Sequence, residues 1–361
     1  MPDTPIAARS DTHCDEIAVE VTRGDRIESR HRASCAVADG SGRIVHRWGD
    51  VGQAVYPRSA IKSIQAIPLV ESGAAERFDL SAAELALACA SHGGEPMHIE
   101  AVEAWLARLG LGADDLECGA HPPSHAPSAE ALWRSGATPN AVHNNCSGKH
   151  AGMLTTARHL GEPTAGYIRH DHPVQQRVAR VIGEMTDVDM TRAPRGIDGC
   201  SIPTYAIPLG AFATAMARLA DPAKLADGRA DAIERIKAAI VARPEMVAGT
   251  GRFCSALIRE SGGRIITKTG AEGVYAAALP DLGLGVALKV EDGAGRASSV
   301  ALAAVLRRLG ALDDALAERL AYFVAPPQIN RAGRRVGDVR AAAGWPPATA
   351  RGRGVVTAEP A

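Results

Sequence analysis

Alternation of apolar and polar positions marks both ends of the chain, and a helical period marks its middle. Residues 16–23 (Glu-Ile-Ala-Val-Glu-Val-Thr-Arg) repeat with period two, as a half-buried strand does. Two further strand-like runs, 34–38 and 43–47, flank Asp39-Gly40-Ser41-Gly42 and predict a hairpin. Apolar residues at 61, 64 and 67 predict a helix over 60–70. Pro57 suits its start, and Pro68 is expected to kink or end it.

Ser81-Ala82-Ala83-Glu84 is a capping box ahead of a helix over 85–90, stopped by Gly93-Gly94. Pro96 opens a helix over 97–109. Residues 114–142, rich in Pro, His and Ser, predict a long loop with a short helix at 129–134; His121, His125 and His143 read as loop polarity. Ser147-Gly148 precedes a helix to about 160, and others are expected at 173–185, 207–220 and 228–243. Strand signals return at 264–267, 275–279 and 284–290, before an amphipathic helix over 297–309. The Pro/Gly/Ala/Arg-rich tail, 344–361, is expected to be mobile. This order predicts an α/β (α+β) fold, an antiparallel sheet built from both chain ends with a helical lobe inserted between. Residues 15–75 and 255–340 would form the sheet lobe and 76–254 the helical lobe, with a site in the cleft between them.

Composition narrows the function. The 361 residues carry 40 Lys+Arg against 41 Asp+Glu, a balance that excludes a basic footprint for nucleic acid or an anionic membrane. No apolar run reaches the ~18 residues of a membrane span. The first 17 residues lack a signal-peptide core, so a cytoplasmic protein is expected. Seven irregularly spaced cysteines then read as core thiols, reactive thiolates or metal ligands rather than disulfides. Cys14, Cys35, Cys89, Cys118 and Cys254 lie mostly in apolar runs and are assigned to the core.

Only six basic residues are lysines (62, 149, 224, 237, 268 and 289). Where arginine dominates so strongly, a lysine points to something arginine cannot do, such as losing its proton. Ser59-Ala60-Ile61-Lys62 sets a hydroxyl and an amine on one face of one turn. Serine needs a base beside it, and lysine serves only when neutral, which burial and a second cation favour. Lys268-Thr269-Gly270, at the end of a strand, can supply that second cation. Serine/lysine acyl-transfer enzymes of the β-lactamase and penicillin-binding type combine these motifs in this order. By chance Ser-x-x-Lys is expected about 0.3 times and Lys-Thr-Gly about 0.03 times in this composition. Ser91, where a helix ends at a glycine pair, can partner Lys268 as Ser59 partners Lys62. The plain alternative is a capping Ser59, a solvated Lys62 and a Ser91 bonded to its own helix.

Cys146, Lys149 and His150 share one face at the start of the helix after His143-Asn144-Asn145, and Asp198-Gly199-Cys200 presents another thiol in a polar turn. Two thiolates and a nitrogen donor with an open fourth position would make a tetrahedral zinc site; unrelated buried thiols are the alternative.

Together, Tyr-Pro-Arg-Ser-Ala-Ile-Lys (56–62), Cys-Ala-Ser-His-Gly-Gly-Glu-Pro (89–96), His-Asn-Asn-Cys-Ser-Gly-Lys-His-Ala-Gly-Met (143–153), Asp-Gly-Cys (198–200) and Lys-Thr-Gly-Ala-Glu-Gly (268–273) resemble the Rhizobium etli-type L-asparaginases, over about 15–340. These class 3 (asparaginase II) enzymes are related in fold to serine β-lactamases and glutaminases. The resemblance implies hydrolysis of L-asparagine by two tandems, Ser59 with Lys62 and Ser91 with Lys268. It also implies zinc (Zn2+) on Cys146, Lys149 and Cys200, and a homodimer. Ser91-His92-Gly93 stands where penicillin enzymes carry Ser-x-Asn, which argues against penicillin chemistry. Ser59 is expected to attack, with Lys62 as base and backbone N–H groups of Ser59 and of the strand after Lys268 holding the oxyanion. Arg58 and Asp198 are the expected partners of the substrate's carboxylate and ammonium. Two other readings stay open: another acyl-enzyme hydrolase (glutaminase, esterase or β-lactamase-like), or a silent zinc-binding protein.

Overall fold

Strand β1 (Glu16–Arg23) turns into the long β2 (Arg26–Asp39), and β3 (Ile44–Trp48) folds back on the far half of β2. The computed structural model describes residues 16–348. The later part of the chain completes the sheet with β4 (Ile266–Thr269), β5 (Val274–Leu279), β6 (Leu284–Val290), β7 (Pro327–Ile329) and β8 (Arg335–Ala341). The order is β7-β8-β1-β2-β6-β5-β4, with β3 also on β2, and every pairing is antiparallel. The sheet is therefore built from both chain ends, as the periodicity predicts.

Between the two strand groups run α1 (Lys62–Gln65), α2 (Ala82–Ala88), α3 (Pro96–Arg108), α4 (Ser147–His159), α5 (Leu209–Ala220) and α6 (Phe253–Glu260), among other helices. A later helix, α7 (Gly295–Arg308), follows the β5–β6 hairpin. All of β5, and β2 from Ala33 to Ala38, are buried at every position. Such runs occur where both faces of a sheet are covered, and α5 and α7 pack against these central strands.

Local signals hold where the chemistry is strong. Ser81 and Glu84 exchange the two hydrogen bonds of a capping box at the start of α2. The expected helix over 60–70 is broken into a 3-10 turn (Arg58–Ile61), α1 and a segment Ile67–Glu71. Pro68 has no N–H to continue the ladder and instead opens the last piece. Of the stretch from Gly344 that is expected to be mobile, Trp345 is buried and tilts against Trp48 at 6.1 Å, and Trp48 Nε1 donates to the Pro347 carbonyl at 3.2 Å. Residues 349–361 and Cys14 lie outside the described residues. Cys35, Cys89, Cys118 and Cys254 are buried, and burial pushes the Cys89 thiol up to about 12.

Candidate active site

Three segments distant in sequence meet at one hydroxyl. Ser91 follows α2, and its N–H donates to the Val247 carbonyl at 2.9 Å. Lys268 reaches Ser91 Oγ from β4 at 2.8 Å, and Lys62 reaches it from α1 at 3.0 Å. Both lysines are buried, at 0% and 2% exposure, in a setting that penalises charge.

The surroundings of the two amines differ. Lys62 Nζ faces Ala90 O, Ser91 Oγ and Cys146 Sγ (3.0 Å), three acceptors for the three donors of an ammonium. Lys268 Nζ donates to Thr269 O at 2.9 Å and meets the Ser91 hydroxyl. Burial is the main cause that pushes Lys268 down to about 7. The positive charge of Lys62 adds to it, against the sulfurs of Cys254 and Cys146. Lys268 is therefore the amine that loses its proton near neutrality.

Ser59 stands just ahead of α1. It is half-buried in the 3-10 turn, and among the described residues no hydrogen bond joins its hydroxyl to either lysine. Arg58, just before it, has φ +51°, a left-handed conformation rare for a residue with a Cβ. The Ser59 N–H lies in the first turn, where such groups have no intrahelical partner. Gly270 lets β4 close on this turn. A Cβ there would stand 2.6 Å from the Pro57 carbonyl oxygen and 3.2 Å from the Ala60 nitrogen. Gly270→Ala is therefore expected to cost about 1–3 kcal/mol in stability by chemical denaturation, as overpacking of a tight contact does.

Beside the lysines lies a sulfur–amine cluster. Cys146, Lys149 and Cys200 are buried, and Lys149 Nζ is 2.9 Å from Cys200 Sγ. The Cys200 thiol donates to Asp198 Oδ2 at 3.8 Å. Cys200 beside it, with Lys62 and Lys149, holds Cys146 well below the usual thiol range, and Cys146 and burial push Cys200 up. Burial opposes the charge on Lys149, but Cys200, Cys146 and Asp198 outweigh it and raise that amine. Gly148 allows this approach: a Cβ would lie 2.4 Å from the Leu87 carbonyl oxygen of α2. Two sulfurs and an amine suit zinc with a fourth position to spare. Among the described residues no three His, Cys, Asp or Glu side chains converge as a metal site.

Arg58 and Asp198 come together, with Nε 2.7 Å from Oδ1, and so pair with each other. Burial favours the protonated Asp198, yet Lys149 and Arg58 hold its carboxyl below the usual range. Sequence reasoning missed several supports. His121 Nε2 accepts the Asn145 N–H at 2.9 Å, and His92 Nε2 meets Ser147 Oγ at 2.9 Å. These bonds hold the chain on either side of Cys146. His150, the other nitrogen donor on that helix face, instead bonds Tyr167 OH through Nδ1 at 2.6 Å.

A serine hydroxyl held between two buried amines, in an α/β chain of this topology, is the equipment of serine–lysine hydrolases and acyltransferases. The chain belongs to the L-asparaginase II family, whose sequence profile it matches over residues 19–341. No curated protein matches it in sequence. Among solved structures it is similar to simvastatin synthase (LovD) from Aspergillus terreus, at 13% identity and TM-score 0.38, covering 72% of this chain and 84% of that one. It is also similar to D-alanine carboxypeptidase AmpC from Burkholderia cenocepacia (13%, TM-score 0.36, 75% and 92%) and to Mglu (15%, TM-score 0.34, 81% and 62%). Among the described residues no helix is long and apolar enough to cross a membrane.

Proposed function

We propose that the protein hydrolyses L-asparagine to L-aspartate and ammonia through a serine acyl-enzyme. The observation that carries this reading is Ser91 Oγ shared by the buried amines of Lys62 and Lys268, in a chain of the L-asparaginase II family. Ser59, the more open serine, attacks the side-chain amide carbon. Neutral Lys268 draws the Ser91 proton, Ser91 draws one from Lys62, and Lys62 is then free to take the Ser59 proton. The proton returns along the same path to the departing ammonia, and water then hydrolyses the ester. The Ser59 N–H and an N–H at the end of β4 hold the oxyanion, a contribution of roughly 3–4 kcal/mol per donor.

The Ser91 contacts also favour a second reading, in which Ser91 itself attacks with Lys268 as base. Ammonia release from asparagine and glutamine, with and without chelator, tests the activity. Turnover of esters or β-lactams with both amides untouched would replace it with another acyl-enzyme hydrolase. Zinc held by Cys146, Lys149 and Cys200 would be neutral overall, its charge balanced by the two thiolates, and would supply a Lewis acid with an open fourth position beside the site. Purified protein is expected to carry about one zinc per chain, and Cys200→Ser to lower that to background by elemental analysis. The same reading makes the protein a cytoplasmic homodimer, a state that light scattering of the purified protein checks.

A further inference from the structure

The cluster around Ser91 leaves an amino-acid substrate's α-carboxylate without a receptor. Arg58 is engaged by Asp198, Lys62 faces three acceptors, and Lys149 faces sulfur. Arg252 is different. It is exposed at the N-cap position of α6, and among the described residues no carboxylate pairs with it.

Its backbone is tied to both halves of the site. Two residues on, Cys254 Sγ accepts the N–H of Thr269, the neighbour of Lys268, at 3.3 Å. Two residues back, Thr250 donates its N–H and hydroxyl to the Glu95 carboxylate at 2.7 and 2.6 Å. Ser91, four residues before Glu95, is bonded to Val247 of the same segment. Cys254 in turn meets Tyr275 OH at 3.1 Å, so α6 is braced against β5 as well. The guanidinium thus leaves a segment fixed to the Ser91 loop on one side and to the Lys268 strand on the other. Its charge also acts on the Lys268 amine, after burial, Cys254, Lys62 and Cys146.

We infer that Arg252 receives the α-carboxylate of the substrate and so selects amides that carry one. This rests on the asparaginase reading above. A guanidinium offers two parallel N–H donors to a carboxylate, and an exposed, unpaired one is not already neutralised.

The test compares wild type, Arg252→Gln and Arg252→Lys on L-asparagine and on β-alanine amide, the same amine and amide without the α-carboxylate. Arg252→Gln is expected to raise KM for asparagine about 10- to 100-fold with little change in kcat, the loss of a charged hydrogen bond. Its kcat/KM on β-alanine amide should match wild type, and Arg252→Lys should recover part of the asparagine KM. An unchanged asparagine KM, or equal losses on both amides, overturns the inference while the asparaginase reading stands. Wild type that leaves asparagine intact overturns the parent reading and this one with it.

Discussion

Ser59→Ala is expected to lower ammonia release from asparagine by roughly 10⁴- to 10⁶-fold, as loss of an attacking serine does. Ser91→Ala should cost less, about 10²- to 10⁴-fold, because it removes a proton carrier and leaves the nucleophile in place. The two variants should also differ in kind. With Ser91 gone, Lys62 and Lys268 lose the oxygen that joins them at 3.0 and 2.8 Å, yet Ser59 can still be acylated slowly. A quenched reaction followed by mass spectrometry should find the acyl group on Ser59 in wild type and in Ser91→Ala, and none in Ser59→Ala. An adduct mapped to residue 91 would reverse the two roles.

Lys268→Met is expected to abolish turnover and make the fold more stable at the same time. In the folded protein the Lys268 amine is pushed down to about 7, chiefly by burial, whereas an unfolded lysine titrates near 10.4. Between those values the unfolded chain binds more protons, so stability rises with pH across that window and the penalty is full below 7. Methionine removes it. At pH 6 the variant should exceed wild type by about 2–4 kcal/mol, less than the whole shift because Ser91 and Thr269 O lose a partner. By pH 10 the difference should have shrunk. The same titration sets activity: wild-type kcat/KM should climb through an apparent pKa near 7 as Lys268 becomes neutral. A melting series with pH and a pH–rate profile check both. Equal stability of the two proteins at pH 6 would mean that Lys268 carries no burial penalty.

What could be read from the chain depended on how much each segment must bury. The central strands were legible because β5 and the second half of β2 are apolar at nearly every position. The first half of β2, Arg-Ile-Glu-Ser-Arg-His-Arg, is mostly exposed and has no such signal. Strand β8 was missed for a related reason. Gly337 weakens its strand pattern, yet glycine is required because a Cβ would meet the Thr22 carbonyl oxygen of β1 at 1.9 Å. At the site, rarity of lysine singled out Lys62 and Lys268, and the capping and turn chemistry placed Ser91. Spacing alone tied Lys62 to Ser59. In the structure the 3-10 turn ends at Ile61, Lys62 begins a new helix, and its amine also reaches Ser91 and Cys146, contacts that spacing does not show. Arg252 carried no signal, being one arginine among many.

The shared sheet also orders events during synthesis. Cys35 of β2, paired early with Trp48 of β3, finds its second neighbour only when Leu288 has been made, and Lys268 meets Ser91 only in that same late stretch. A ribosome-bound fragment that stops short of β4 holds both serines and the sulfur–amine cluster but lacks the amine that titrates near neutrality. Such a nascent chain is silent, and its uncovered β2 edge is a surface that chaperones must shield until the last strands arrive.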